Sequence, residues 1–142
     1  HMKSGKKTKL IINEENEIPN FLKKEIKKLA LSIIPQDFAE VQLNFVGKKR
    51  ITEINTKIFN KKNPTDVITL TYPYPSVNKV AEVFICTDIA RENSRFFNLS
   101  YECELLILIT HSFLHLKGID DKKKDEFKKM SRLTLLNLKK LL

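Results

Sequence analysis

The segment Tyr101 to Lys117 constrains this chain more than any other stretch. Its run Glu104-Leu105-Leu106-Ile107-Leu108-Ile109 has the length and residue types of a buried helix. Ser100 is a good N-cap, and Glu102 and Glu104 fall in the first turn, where the helix dipole favours acids. A helix that is apolar on nearly every side must be covered on every side, so it is expected at the centre of the fold. Gly118 supplies the stop, because it can take a left-handed conformation that other residues resist. The same helix carries His111 and His115, a turn apart on one face. The remaining histidine, His1, precedes Met2 in what reads as a tag remnant, with residues 1–8 a flexible basic start and 9–142 one domain.

Two imidazoles at this spacing can share one metal ion, and the chain beyond Gly118 can bring back Asp120 or Asp121 as a third ligand. Two neutral imidazoles and a carboxylate would leave zinc one open position, the pattern of a catalytic site. The same pair can also simply cap an apolar helix end. Ser112 follows the first histidine where a zinc peptidase places its glutamate base, which argues against peptide hydrolysis.

Patterning around this helix predicts a single α/β domain of the α+β type, with a four-stranded mixed sheet and about five helices. Strands are expected over Lys9 to Asn13, Val41 to Phe45, Asp66 to Tyr72 and Lys79 to Cys86. The helices expected besides the central one are Ile18 to Ile34, Lys48 to Phe59, Asp88 to Phe97 and a closing helix from Asp121 packed against the core. Tyr72-Pro73-Tyr74-Pro75-Ser76 breaks regular pairing and reads as a rigid turn or a lip on which a base could stack. Cations Lys48, Lys49 and Arg50 at a helix start oppose the dipole, which suggests either phosphate contact or a solvated basic turn.

At 142 residues and 42% hydrophobic composition the chain can bury a core without disulfides, and Cys86 and Cys103 read as reduced core residues. No run is long enough for a membrane span, and a cytoplasmic protein is the expectation. A net charge of +9 favours anionic partners, nucleic acid first. Only four of the 26 basic residues are arginines, so general phosphate affinity is expected over base-specific readout.

His111-xxx-His115-Leu116-x-Gly118-x-Asp120-Asp121 resembles the motif His-Gly-x-x-His-Leu-x-Gly-Tyr-Asp-His of the YbeY family of bacterial endoribonucleases. Upstream, Ile54-Asn55-x-x-Ile58-Phe59, Pro64-Thr65-Asp66-Val67-Ile68-Thr69-Leu70 and Ala81-Glu82-Val83-Phe84-Ile85 are similar to that family's other motifs, in the same order. The resemblance implies a metal-dependent, single-strand-specific endoribonuclease acting in ribosomal RNA maturation and ribosome quality control. RNA, ribosomal RNA and the small ribosomal subunit are the implied partners. It implies His111, His115 and Asp121 as metal ligands and catalytic groups, with Asp120 orienting a ligand and zinc, or another divalent transition metal, as cofactor. Asp121 stands where the family has a third histidine, and Phe59 where it has a cleft arginine. Arg50, Lys61 and Lys62 are the candidates to replace that charge and bind RNA. The two departures keep open a catalytically weak or inactive ribosome- or RNA-binding protein of the same fold.

Overall fold

A computed structural model describes residues 7–72 and 78–141. The expected turn after Tyr72 and the first six residues of the basic start lie outside them. In chain order the elements are β1 (Lys9–Glu14), α1 (Leu22–Ile33), β2 (Phe38–Val46), α2 (Lys48–Phe59), β3 (Val67–Tyr72), β4 (Lys79–Cys86), α3 (Thr87–Phe96), α4 (Tyr101–Leu116) and α5 (Asp121–Leu141).

The four strands form one mixed sheet in the order β1-β2-β4-β3. β1 and β4 both run parallel to β2, and β3 returns antiparallel to β4. Alternation along β2 and β4 sends Val41, Leu43, Phe45, Ala81, Val83 and Ile85 to one face. There they meet Leu105, Leu108, Ile109 and Phe113 of α4, all fully buried. Val46, Ile68, Phe84 and Cys86 face the other way and are covered by Ile51 and Ile54 of α2. The central helix therefore forms the middle of the larger core, as its composition requires.

Most element ends lie within three residues of the sequence expectation, β2 starting at Phe38 and not Val41, and three points bear further on the fold. The first helix begins at Leu22 and not Ile18, because the chain turns at Pro19, whose carbonyl accepts from the Leu22 amide at 3.1 Å. Ile18 is nonetheless buried and so mimics the helical stripe that follows it. Two of the three cations at the start of α2 are answered by acids of neighbouring elements: Lys48 pairs with Glu92 and Arg50 lies 3.6 Å from Glu15, while Asp88 Oδ2 accepts from the Lys48 backbone amide at 2.9 Å. These pairs offset much of the unfavourable charge that the helix dipole meets there. The closing helix α5 packs on α4 less completely than expected. Met130, Leu133, Leu138 and Leu141 stay exposed, and Lys124 is its one buried residue among those described. Between α1, α4 and α5 an apolar groove of about 470 Å³ runs past Leu29, Leu106, Ile107, Phe127 and Leu135. Both cysteines are free thiols, Cys86 buried and Cys103 partly so.

Candidate functional site

Two helix ends and one loop build a polar pocket of about 410 Å³ on the open side of α4. α2 closes on Asn60 in the left-handed conformation (φ 56°). The loop that follows is pinned by buried Asn55, whose Nδ2 donates to the Asn63 carbonyl at 2.9 Å. Thr56 Oγ1 donates to the Lys61 carbonyl at 3.0 Å, holding the other end. These bonds set Phe59, Lys61 and Thr65 along one wall, with Ile68 and Thr69 of β3 at the base.

The opposite wall comes from α4 and α5. α4 ends in a Schellman turn: Gly118 (φ 89°) donates to the His115 carbonyl at 3.0 Å and Ile119 to the Leu114 carbonyl at 3.1 Å. The chain reverses there, and Asp120 caps α5 by accepting the Lys123 amide on Oδ1 at 2.9 Å. The reversal brings His111, His115, Asp121 and Lys124 to the same pocket as Phe59 and Lys61.

The residues singled out in the sequence divide accordingly. His111, His115, Asp121 and Lys61 line the pocket; Arg50, Lys62 and Asp120 do not. Asp120 Oδ1 accepts from the backbone of its own helix, where it acts as a cap. Ser112 is buried on the core side, donating to the Ile109 carbonyl at 2.7 Å, and is out of reach of the pocket's chemistry. Phe59, about half exposed at 48%, stands at the rim where the resemblance had implied an arginine.

Sequence reasoning missed Lys124. Its side chain is only 3% exposed, and Nζ donates to Asp121 Oδ1 at 2.9 Å and contacts His115 Nδ1. The Asp121 side chain is 91% exposed, so its carboxylate lies at the surface as the partner of that ammonium. The Lys124 hydrogen bond, together with its charge, holds the Asp121 carboxyl below its ordinary range. Burial lowers the His111 pKa, and the nearby Lys128 ammonium lowers it further, while a backbone hydrogen bond with Lys124 and the Asp66 carboxylate act in the opposite direction. His115, exposed along one edge, is lowered first by partial burial and then by Lys124. Both imidazoles are therefore neutral at pH 7, and buried His111 Nδ1 has no hydrogen-bond partner.

Neutral imidazoles are the form that binds zinc, and buried His111 Nδ1 is left without a partner. The third donor does not join them. Among the described residues no group of three His, Cys, Asp or Glu side chains is arranged to hold a metal ion. The Lys124 ammonium contacts both His115 and Asp121, two of the three groups that a metal ion would need. As they stand, these side chains do not fit a resident metal ion.

With this geometry in view, the likeness to known proteins is specific. The profile of the family described as Endoribonuclease YbeY matches residues 3–141. The Endoribonuclease YbeY of Thermotoga maritima is 33% identical over 122 residues, covering 86% of this chain and 73% of that protein. That of Elusimicrobium minutum is 34% identical over 123 residues, covering 79% of this chain and 86% of the other. The solution structure of TM1509 from Thermotoga maritima superposes with a TM-score of 0.56 at 27% identity, over 92% of this chain and 91% of that one. A match along almost the whole length, with the pocket built from the segments that carry the motifs, means that the chain belongs to the YbeY endoribonuclease family.

Proposed function

We propose that this chain acts on single-stranded RNA in the α2–α4–α5 pocket, as an endoribonuclease of ribosomal RNA maturation and ribosome quality control working with the small ribosomal subunit in the cytoplasm. The observation that carries the reading is the convergence of a neutral histidine pair with Lys61 and Lys124 in one polar pocket, in a chain of an endoribonuclease family. A pocket of about 410 Å³ between two helix ends suits a splayed nucleotide better than a base-paired duplex. Its lysines offer charge-assisted hydrogen bonds to phosphate oxygens. A neutral imidazole such as that of His111 is able to accept a proton from an attacking hydroxyl.

The sequence pattern asks for zinc, or another divalent transition metal, on His111, His115 and Asp121. The arrangement of Lys124 favours an ammonium as the local cation instead. A second reading, binding with weak or absent cleavage, gains from Phe59 at the rim, because no guanidinium stands there to hold a pentavalent phosphate.

The test is cleavage of matched single-stranded and duplex RNA by the intact chain and by His111→Ala. Cutting of the single strand alone, reduced roughly a hundredfold in the variant, supports the enzyme. Tight binding of the single strand without any cutting supports the second reading. Equal treatment of both RNAs overturns the single-strand assignment.

A further inference from the structure

We infer that the Lys124 ammonium is the resident cation of this pocket, standing in for a metal ion and binding an RNA phosphodiester directly. The inference rests on the reading of the pocket as an RNA site.

Lys124 lies in the first turn of α5, where the helix dipole disfavours positive charge, and it is buried to all but 3%. A buried ammonium is costly unless it is paired. Here the pairing comes from the groups that the sequence pattern marks for a metal. Asp121 Oδ1 takes one N–H at 2.9 Å, and His115 Nδ1 faces a second. An ammonium has three donors, so the third is free for a pocket ligand. His111 lines the same pocket. Lys61 stands on the facing wall. Two ammonium groups around one cavity are complementary to a phosphate carrying a single negative charge.

The same geometry opposes a divalent ion. A metal placed to reach both imidazoles would sit against a like charge in a partly desolvated site. It would also have to take Asp121 from Lys124, leaving the buried ammonium unpaired. Aspartate in place of a third histidine and lysine three residues later thus form one unit. The acid holds the lysine, and the lysine occupies the place of the ion.

The experiment combines zinc titration against a competing chelator with anisotropy of a fluorescent single-stranded oligoribonucleotide, with and without EDTA. The intact chain is expected to take up no zinc that His111→Ala removes, and to bind the oligonucleotide equally well in EDTA. Lys124→Met keeps the length and volume of the side chain. It should weaken RNA binding roughly tenfold, the worth of one charge-assisted hydrogen bond, and should gain zinc binding that depends on His111. One zinc per intact chain, lost in His115→Ala, overturns the inference without using any variant of Lys124. So does RNA binding that EDTA abolishes, or RNA affinity unchanged in a folded Lys124→Met. Refusal of zinc without any RNA binding would overturn the reading of the pocket as an RNA site, and the phosphodiester contact with it, while upholding Lys124 as the cation of the pocket.

Discussion

Arg132 of α5 grips Glu104 of α4 with two parallel hydrogen bonds, Nε to Oε1 at 3.0 Å and Nη2 to Oε2 at 2.5 Å. Glu104 is fully buried, Asn93 of α3 adds a third bond at 3.2 Å, and the guanidinium lies 4.0 Å over the Phe97 ring. This clamp ties three helices together beneath the exposed apolar side of α5. Removing one partner strands a buried charge, which typically costs about 3–5 kcal/mol. Arg132→Met is therefore expected to lose stability on that scale in urea unfolding, whereas the paired change Glu104→Leu with Arg132→Met should recover most of it. A single variant within about 0.5 kcal/mol of the parent would show that the clamp is not what holds α5.

Gly118 is the turn that joins α4 to α5 in one wall of the pocket. A Cβ there would find open space, so the cost of Gly118→Ala is purely conformational. At φ 89° that cost is about 1–2 kcal/mol. The expected result is a loss of that size in urea unfolding, together with weaker RNA binding, because Asp121 and Lys124 follow the turn directly. RNA affinity unchanged alongside the stability loss would separate the turn from the pocket.

The sequence made the elements legible where periodicity was strong and local. α2 and β4 have the bounds that their apolar spacing predicts, Lys48–Phe59 and Lys79–Cys86. α4 sits at the centre because a helix so uniformly apolar has nowhere else to go. What could not be read were partnerships across elements. Glu104 looked like a first-turn acid favoured by the dipole, and only the arrival of Arg132 makes it a buried one. Lys122, Lys123 and Lys124 are three identical letters, and which of them points inward depends on where Gly118 aims α5. The available clue was Asp121 three residues before Lys124, a spacing that pairs side chains on a helix.

Acid should loosen this fold through its histidines. Because the folded chain holds the His111 pKa below the ordinary 6.5, the unfolded chain binds that proton first as pH falls. The stabilisation is complete above the unfolded value and is lost as pH drops from there through the folded one. His115 is shifted the same way, while the lowered Asp121 titrates below its ordinary 3.8 and does not enter this window. Urea unfolding at pH 7.5, 6.5 and 5.5 should show falling stability, with a shallower decline in His111→Asn. An identical decline in that variant would assign the acid sensitivity to other groups.

Salt dependence can locate the RNA path. Lys61 lines the pocket, while Arg50 is held near Glu15 at the far end of α2 and lines none of it. Each phosphate neutralised on a single strand contributes about −0.7 to the slope of log affinity against log salt. Lys61→Ala should therefore flatten the slope for a single-stranded oligoribonucleotide by about 0.7, and Arg50→Ala should leave it unaltered. Both variants are at exposed positions, so stability is not expected to confuse the comparison. If Arg50→Ala flattens the slope and Lys61→Ala does not, the strand crosses the start of α2, and the histidine pair faces no substrate backbone.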